Sequence, residues 1–223
     1  FLLNPICMVK LIILGIYLSD GARSKIMFTK KTALLLVDLQ NDFIHSRGAY
    51  GRAGKFSTEI SILPETIAPL AIMFRKLSYP IISTQFTLVP DEQGEPMIAE
   101  HLKKIRPFLS RGDFAIGSWG NQLVDELGVP DYIIEKIAYS AFYMTRLEWL
   151  LNKLNVKNLI VGGIVTNGGV ASTVRNAHVL GFDTTILSDG CAAFSAETHK
   201  NAILDLSTVS DVKTCAEIMA MFQ

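Results

Sequence analysis

The sequence predicts a three-layer α/β/α sandwich built on a central, mostly parallel sheet. Short apolar runs of strand length recur along the chain, stretches with apolar residues at helical spacing separate them, and several runs end on a polar residue. A run that is apolar without alternation suits a strand buried on both faces, as parallel strands covered by helices are. Strands that alternate with helices call for crossover connections and a parallel sheet.

Residues 32–38 (TALLLVD) read as a central strand closing on a carboxylate. A helix is predicted over 63–77, a strand over 80–85 (PIISTQ), and a third strand over 132–135 (YIIE) with Lys136 at its end. Residues 145–154 form an amphipathic helix, and 158–165 (NLIVGGIV) a fourth strand. A helix follows over 169–180, with Gly181 as its C-terminal stop. A fifth strand covers 183–187, and a last helix 196–206. Ligands of open parallel sheets bind beyond the carboxyl ends of the strands. The order of elements therefore brings Asp38, Gln85, Lys136 and the 166–169 turn to one rim.

Size and composition narrow the function. A chain of 223 residues, 49% of them hydrophobic, supports one substantial domain. Lys+Arg and Asp+Glu are both 21, so no basic excess exists to follow a phosphate backbone, and nucleic acid is not an expected partner. Cys7, Cys191 and Cys215 form neither a disulfide framework nor a metal pair, which suits a reducing, cytoplasmic compartment. The four histidines are scattered, and no metal is expected. Residues 1–26 differ from the rest: the run LIILGIYL after Lys10 is too short for a membrane span. It reads as a leader ahead of a domain over 27–223, with a signal peptide and secretion as the alternative.

A carboxylate at the end of a buried strand is costly unless it is paired or its pKa rises. Lys136 would suit Asp38, either as a structural ion pair or as the tuning partner of an acid–base group. In GGIVTNGGVAST the glycines permit close backbone approach, and the helix start offers N–H groups for a developing oxyanion. A generic strand–helix turn is the other reading, and the motif is not a P-loop. Gln85 could orient a polar substrate group, Trp119 and Phe142 could form an apolar wall, and Tyr139 could donate a hydrogen bond. For each of these aromatics, core packing or a subunit contact is the reading to prefer. Arg52 in YGRAG has the fork to hold a substrate carboxylate, or is a surface arginine.

VDLQNDF, EKIAYSAF and GGIVTNGGVASTVRNAHVLGF, in that order and spacing and followed by DGCAAFSAETH, resemble the signature segments of the isochorismatase-like superfamily of cysteine hydrolases. The resemblance runs from about residue 27 to the C-terminus. It implies a Rossmann-like fold, a small-molecule substrate, no cofactor, no membrane association and a homo-oligomer. The family's triad is aspartate, lysine and cysteine. By motif position Asp38 matches the aspartate and Lys136 the lysine, but Gly169 stands where the cysteine belongs. The resemblance also implies a non-proline cis peptide at Ile164–Val165, aiming backbone N–H groups of Ile164, Val165, Gly168 and Gly169 into the site. Some relatives bind a metal through an Asp-x-His arrangement, which Asp42 and His45 do not form.

Glycine cannot be a nucleophile, so the covalent thiol route is closed. Isochorismatases in the narrow sense also carry glycine there and hydrolyse a vinyl ether without a covalent enzyme intermediate. The Thr-Asn turn and the GAYGRAG segment look more like the cysteine-dependent ureido and N-carbamoyl hydrolases. Three functions follow: non-covalent hydrolysis of a small polar metabolite, in its most concrete form an isochorismate-type vinyl ether; a C–N amidohydrolase with its cysteine replaced; and a non-catalytic binding protein.

Overall fold

The computed structural model describes residues 31–222, so the leader expected over 1–26 lies outside the described residues. Six strands, β1 (Thr32–Val37), β2 (Ile81–Phe86), β3 (Tyr132–Lys136), β4 (Asn158–Ile164), β5 (Asp183–Ala192) and β6 (Asp211–Lys213), form one sheet in the order β3-β2-β1-β4-β5-β6. Every neighbouring pair is parallel. The helices are the short α1 (Asn41–Ile44), α2 (Ala49–Arg52) and α3 (Thr58–Ser61), then α4 (Leu63–Lys76), α5 (Glu100–Ile105), α6 (Leu147–Lys153), α7 (Ala171–Val179), α8 (Ala196–Leu206) and α9 (Cys215–Met221).

The unbroken apolar run of β1 is explained by burial on both faces. Ala33, Leu35 and Val37 pack with Leu147, Leu151, Val174 and Leu206 from α6, α7 and α8. Leu34 and Leu36 pack with Ile67, Leu70 and Phe74 of α4 and Ile218 of α9. Period-two alternation thus feeds two separate cores from one strand.

The strand order reverses direction between β1 and β4, because the chain works outward to β3 on one side before crossing to β4 on the other. That reversal opens a crevice at the carboxyl ends of the two central strands, where ligands of such sheets bind. Gly163 permits the close approach of these strands. Its φ is 134°, and a Cβ there would sit 2.1 Å from the Val37 carbonyl oxygen.

Several boundaries differ from the sequence reading. The strand expected to end at 187 continues through Asp189 and Cys191 to Ala192, with a register shift against β4 between Val161 and Gly163. The shift lets the polar SDG segment stay in the sheet without alternating faces as a regular strand would. The helix expected over 169–180 opens with one wide turn over Thr166–Val170 before α7 begins. The sequence reading missed β6 and the helices α1, α2, α3, α5 and α9. All but α9 are too short to show periodicity, whereas α9 is marked by a capping box, Thr214 with Glu217. No helix among the described residues is long and apolar enough to cross a membrane.

Candidate active site

Asp38 follows β1 directly, with φ 57°, a left-handed conformation that aspartate tolerates better than most residues. Its side chain is almost wholly buried, and Lys136 Nζ, from the end of β3, lies 2.7 Å from its Oδ2. Thr84 of β2 donates its hydroxyl to Asp38 Oδ1 at 2.7 Å and accepts from the Asp38 N–H at 3.2 Å. Lys136 also donates to the Ala138 carbonyl at 2.9 Å and lies 5.6 Å from the centre of the Phe86 ring. A buried pair held this way has its hydrogen-bonding capacity largely used, which is the condition for burying two charges at all. Burial raises the Asp38 pKa above the ordinary carboxylate value; Lys136 and Thr84 pull it back without cancelling the rise.

The turn after β4 supplies the facing side. The Ile164–Val165 peptide is cis. A Cβ added at Gly169 would lie 2.9 Å from the Ile164 carbonyl oxygen, 3.3 Å from Asp38 Oδ2 and 3.4 Å from Val37 Cγ1. A side chain at 169 would therefore enter the site beside the carboxylate. The turn is anchored from behind: Thr173 donates to the Gly169 carbonyl at 2.7 Å, and Thr166 Oγ1 is 2.8 Å from His199 Nδ1. The Gly168 N–H is committed to the Val165 carbonyl at 2.9 Å, so it is not free to receive an oxyanion.

The polar residues of VDLQNDF brace the rim. Gln40 accepts from the Phe86 N–H at 2.8 Å and donates to the Phe86 and Asn121 carbonyls at 3.0 and 2.9 Å. Asn41 donates to the Trp119 carbonyl at 2.9 Å. The Asp42 carboxylate accepts from the N–H groups of Ala49 and Phe114 at 2.9 and 2.7 Å. This segment thus ties the 113–123 loop and α2 to the end of β1.

Of the other residues singled out in the sequence, Tyr139 stands at the turn, its ring 4.0 Å from where a Gly168 Cβ would be. Gln85 does not face Asp38. Thr84 pairs with Val37 in register, so alternation turns Gln85 to the opposite face of the sheet. Phe142 stacks on Phe182 in the core at 5.8 Å rather than forming a substrate wall. Trp119 packs its ring against His45 at 5.0 Å and Arg47 at 4.9 Å. The Arg52 fork is taken by Asp113 and by the Arg47 carbonyl, so it cannot clamp a substrate carboxylate. Cys191 is buried, with its Sγ 3.6 Å from the Val161 carbonyl oxygen, and burial pushes its thiol pKa up to about 12.

The sequence reading missed Thr84, Phe86 and Tyr50. Tyr50 is buried and stacks on Phe194 at 5.5 Å, and it touches Phe43 at 4.9 Å and Phe108 at 5.0 Å. Burial raises its phenol pKa against the opposing pull of Arg106, so the phenol stays protonated near neutrality. Thr84 was within reach of the sequence, since two-residue alternation from the strand end would have separated it from Gln85. The partners of Tyr50 come from distant loops, and no local pattern marks them.

A cavity of about 780 Å³ opens at the amino ends of the strands, lined by Lys31, Lys157, His178 and Thr184 among others. It lies at the other end of the sheet from Asp38. We place the site by its side chains, at the carboxyl rim of the β1–β4 crevice, where the buried carboxylate and ammonium meet.

The parallel sheet thus carries a buried aspartate–lysine pair and a wide glycine turn at its switch point. The profile of the Isochorismatase domain matches residues 32–220. The chain is 32% identical over 200 residues to YecD of Escherichia coli O157:H7, an uncharacterized isochorismatase family protein, covering 85% of this chain and 95% of that one. It is 30% identical to the ureidoacrylate amidohydrolase RutB of Acinetobacter baylyi, covering 83% of this chain and 82% of that one. A cysteine hydrolase from Pseudomonas syringae pv. phaseolicola superposes with a TM-score of 0.75 at 21% identity, covering 87% of this chain and 94% of that one. The chain belongs to the isochorismatase family of hydrolases.

Proposed function

We propose that this protein hydrolyses a small polar metabolite without a covalent enzyme intermediate, using Asp38 as the acid–base group and Lys136 as its electrostatic partner. The observation that carries the reading is the position of Gly169. A side chain there would stand 3.3 Å from Asp38 Oδ2, and glycine leaves that place to substrate or water. Burial holds the Asp38 pKa above the ordinary carboxylate value, the direction that an acid role needs.

An isochorismate-type vinyl ether is the substrate that suits a lone carboxylic acid. Protonated Asp38 transfers its proton to the terminal vinyl carbon, and the adjacent carbon becomes an oxocarbenium centre. Water adds to that centre and returns a proton to the Asp38 carboxylate. The resulting hemiketal collapses to a ketone and an alcohol. Lys136 holds the carboxylate in place and stabilises its anionic form between the two proton transfers.

A C–N hydrolase in which Asp38 acts as a base on water is the second reading, favoured by the likeness to a ureidoacrylate amidohydrolase. The test compares wild type, Asp38→Asn and Gly169→Cys on isochorismate and on a panel of amides and ureides, in H₂O and in D₂O. The vinyl-ether reading expects isochorismate turnover that is lost in Asp38→Asn, with one solvent deuteron in the product methyl group. It also expects the rate to fall as pH rises through the Asp38 pKa, because the acid form is consumed. A rate that rises through the same pKa on an amide, in wild type, establishes the second reading. Amide turnover confined to Gly169→Cys overturns both.

A further inference from the structure

The two walls of the site come from strands that are not neighbours. Lys136 ends β3 and the 166–170 turn follows β4, while β2 and β1 lie between them. Sheet hydrogen bonds alone therefore leave the placing of the ammonium against the turn to other contacts. One buried side chain spans the gap. Thr173 of α7 is fully buried, donates its hydroxyl to the Gly169 carbonyl at 2.7 Å and accepts from the Ala141 N–H at 3.0 Å. The first bond is the ordinary reach of a helical threonine to the carbonyl four residues back. The second is not local: Ala141 lies 32 residues earlier, in the segment that follows Lys136.

The contacts close into a ring. Ala141 is itself buried, so its N–H has no water to turn to, and its carbonyl accepts from the Thr145 hydroxyl at 2.6 Å. Earlier in the same segment, the Ala138 carbonyl accepts from Lys136 Nζ at 2.9 Å. Lys136 Nζ reaches Asp38 Oδ2 at 2.7 Å, and that oxygen is the one 3.3 Å from where a Gly169 Cβ would stand. From Gly169 the ring returns to Thr173. The ammonium is thus shared between Asp38 and a carbonyl whose place depends on the segment that Thr173 pins. When that segment shifts, the ammonium either follows Ala138 or stays with Asp38, and one of its two bonds lengthens. Valine would fill the same volume as Thr173, so packing gives no reason for a hydroxyl here, whereas two buried backbone groups do.

We propose that Thr173 is a positioning residue: its hydroxyl couples the 166–170 turn to the 138–141 segment and so holds the Lys136 ammonium on Asp38. Being fully buried, it acts through Ala141 and Ala138 rather than on the substrate. The proposal rests on the Asp38–Lys136 reading given above for its catalytic meaning. It can fail independently, because the coupling is measurable without turnover.

The experiment follows the lysine ammonium groups and the backbone amides by heteronuclear NMR in wild type, Thr173→Val, Thr173→Ser and Val174→Ala. Val174 is the buried neighbour on α7 that packs in the core, and its truncation controls for plain loss of stability. In wild type the Lys136 ammonium should give a signal protected from exchange, the Ala141 amide should exchange slowly, and the Thr173 hydroxyl proton should show a nuclear Overhauser contact to it. Thr173→Val should speed exchange at Ala141 and Lys136 at least about tenfold beyond any change in the slowest core amides, the scale of one buried hydrogen bond. Thr173→Ser keeps the hydroxyl and should restore both. Val174→Ala should leave the Lys136 signal in place. An unprotected Ala141 amide or a missing hydroxyl contact in wild type overturns the proposal, and these readings hold even where a variant does not fold. A Lys136 signal unchanged in Thr173→Val, the same change in Val174→Ala, or no recovery in Thr173→Ser overturns it as well. For a substrate that the enzyme turns over, Thr173→Val should lower kcat about ten- to hundredfold with little change in KM, and Thr173→Ser should recover it. Absent turnover in every protein beside an intact Thr173-dependent Lys136 signal would sink the hydrolytic reading and leave this one standing.

Discussion

Removing one member of the Asp38–Lys136 pair should cost far more than removing both. The groups stand 2.7 Å apart with both side chains almost fully buried. At an effective dielectric constant of about 20, two unit charges at that distance attract by about 6 kcal/mol. Desolvation offsets most of this, so the pair contributes little net stability, but either charge alone is left unpaired in the interior. Asp38→Asn should therefore destabilise the protein by about 3–5 kcal/mol at pH 7, because Lys136 keeps its buried position without a counter-charge. Lys136→Met should cost less, since Asp38 can take up a proton. Its burden depends on pH with a definite sign. The folded-state pKa of Asp38 lies above its unfolded value already and rises further without Lys136. Stability of that variant is therefore fully present below the unfolded pKa and is lost as pH climbs through the folded one. Asp38→Asn/Lys136→Met should cost about 1–2 kcal/mol, giving a coupling energy above about 2 kcal/mol. Urea unfolding of the four proteins at pH 4.5 and pH 7.5 measures the cycle. Single-variant costs that add to within about 0.5 kcal/mol would refute the reasoning, as would a Lys136→Met penalty that shrinks at the higher pH.

Three further outcomes follow from the same geometry. Gly169→Ala places a Cβ 2.9 Å from the Ile164 carbonyl oxygen, so overpacking should outweigh the helix-propensity gain and lower stability by about 1 kcal/mol in urea melts. A stabilised variant would show that the turn has room. Asp42→Ala strips two backbone N–H groups, of Ala49 and Phe114, of their acceptor and should cost at least about 2 kcal/mol, while Asp42→Asn should retain part of that stability. Cys191 and Cys215 are both buried, with thiol pKa values pushed up by burial, so neither should react with a thiol-specific disulfide reagent at pH 8 until the protein unfolds. Mass mapping of the labelled native protein checks this.

The parts of the fold legible in the sequence are those whose pattern is local. β1 reads as a doubly buried strand because every residue from Thr32 to Val37 is inside. The helix Ala196–Leu206 shows its stripe and its Ser195 cap. The sequence gives no comparable sign of the full length of β5, because the segment SDG is polar and its place in the sheet depends on a register shift against β4. The same division holds at the site. Asp38, Lys136 and the Thr166–Gly169 turn stand at element ends and can be placed by topology. Arg52 has the fork of an anion clamp, and only the fold brings Asp113 to it.

Gly169 makes this distinction useful. A missing nucleophile in an otherwise intact frame invites a reading of decay, and sequence pattern has no answer to it. The structure bears on the question through cost. Asp38 and Lys136 are buried together in an arrangement that hydrophobic residues of similar volume could replace at little loss or some gain in stability. Stability therefore gives weak reason to retain both charges, whereas acid–base chemistry on a bound ligand gives a strong one. The retained ion pair therefore weighs against a reading of decay.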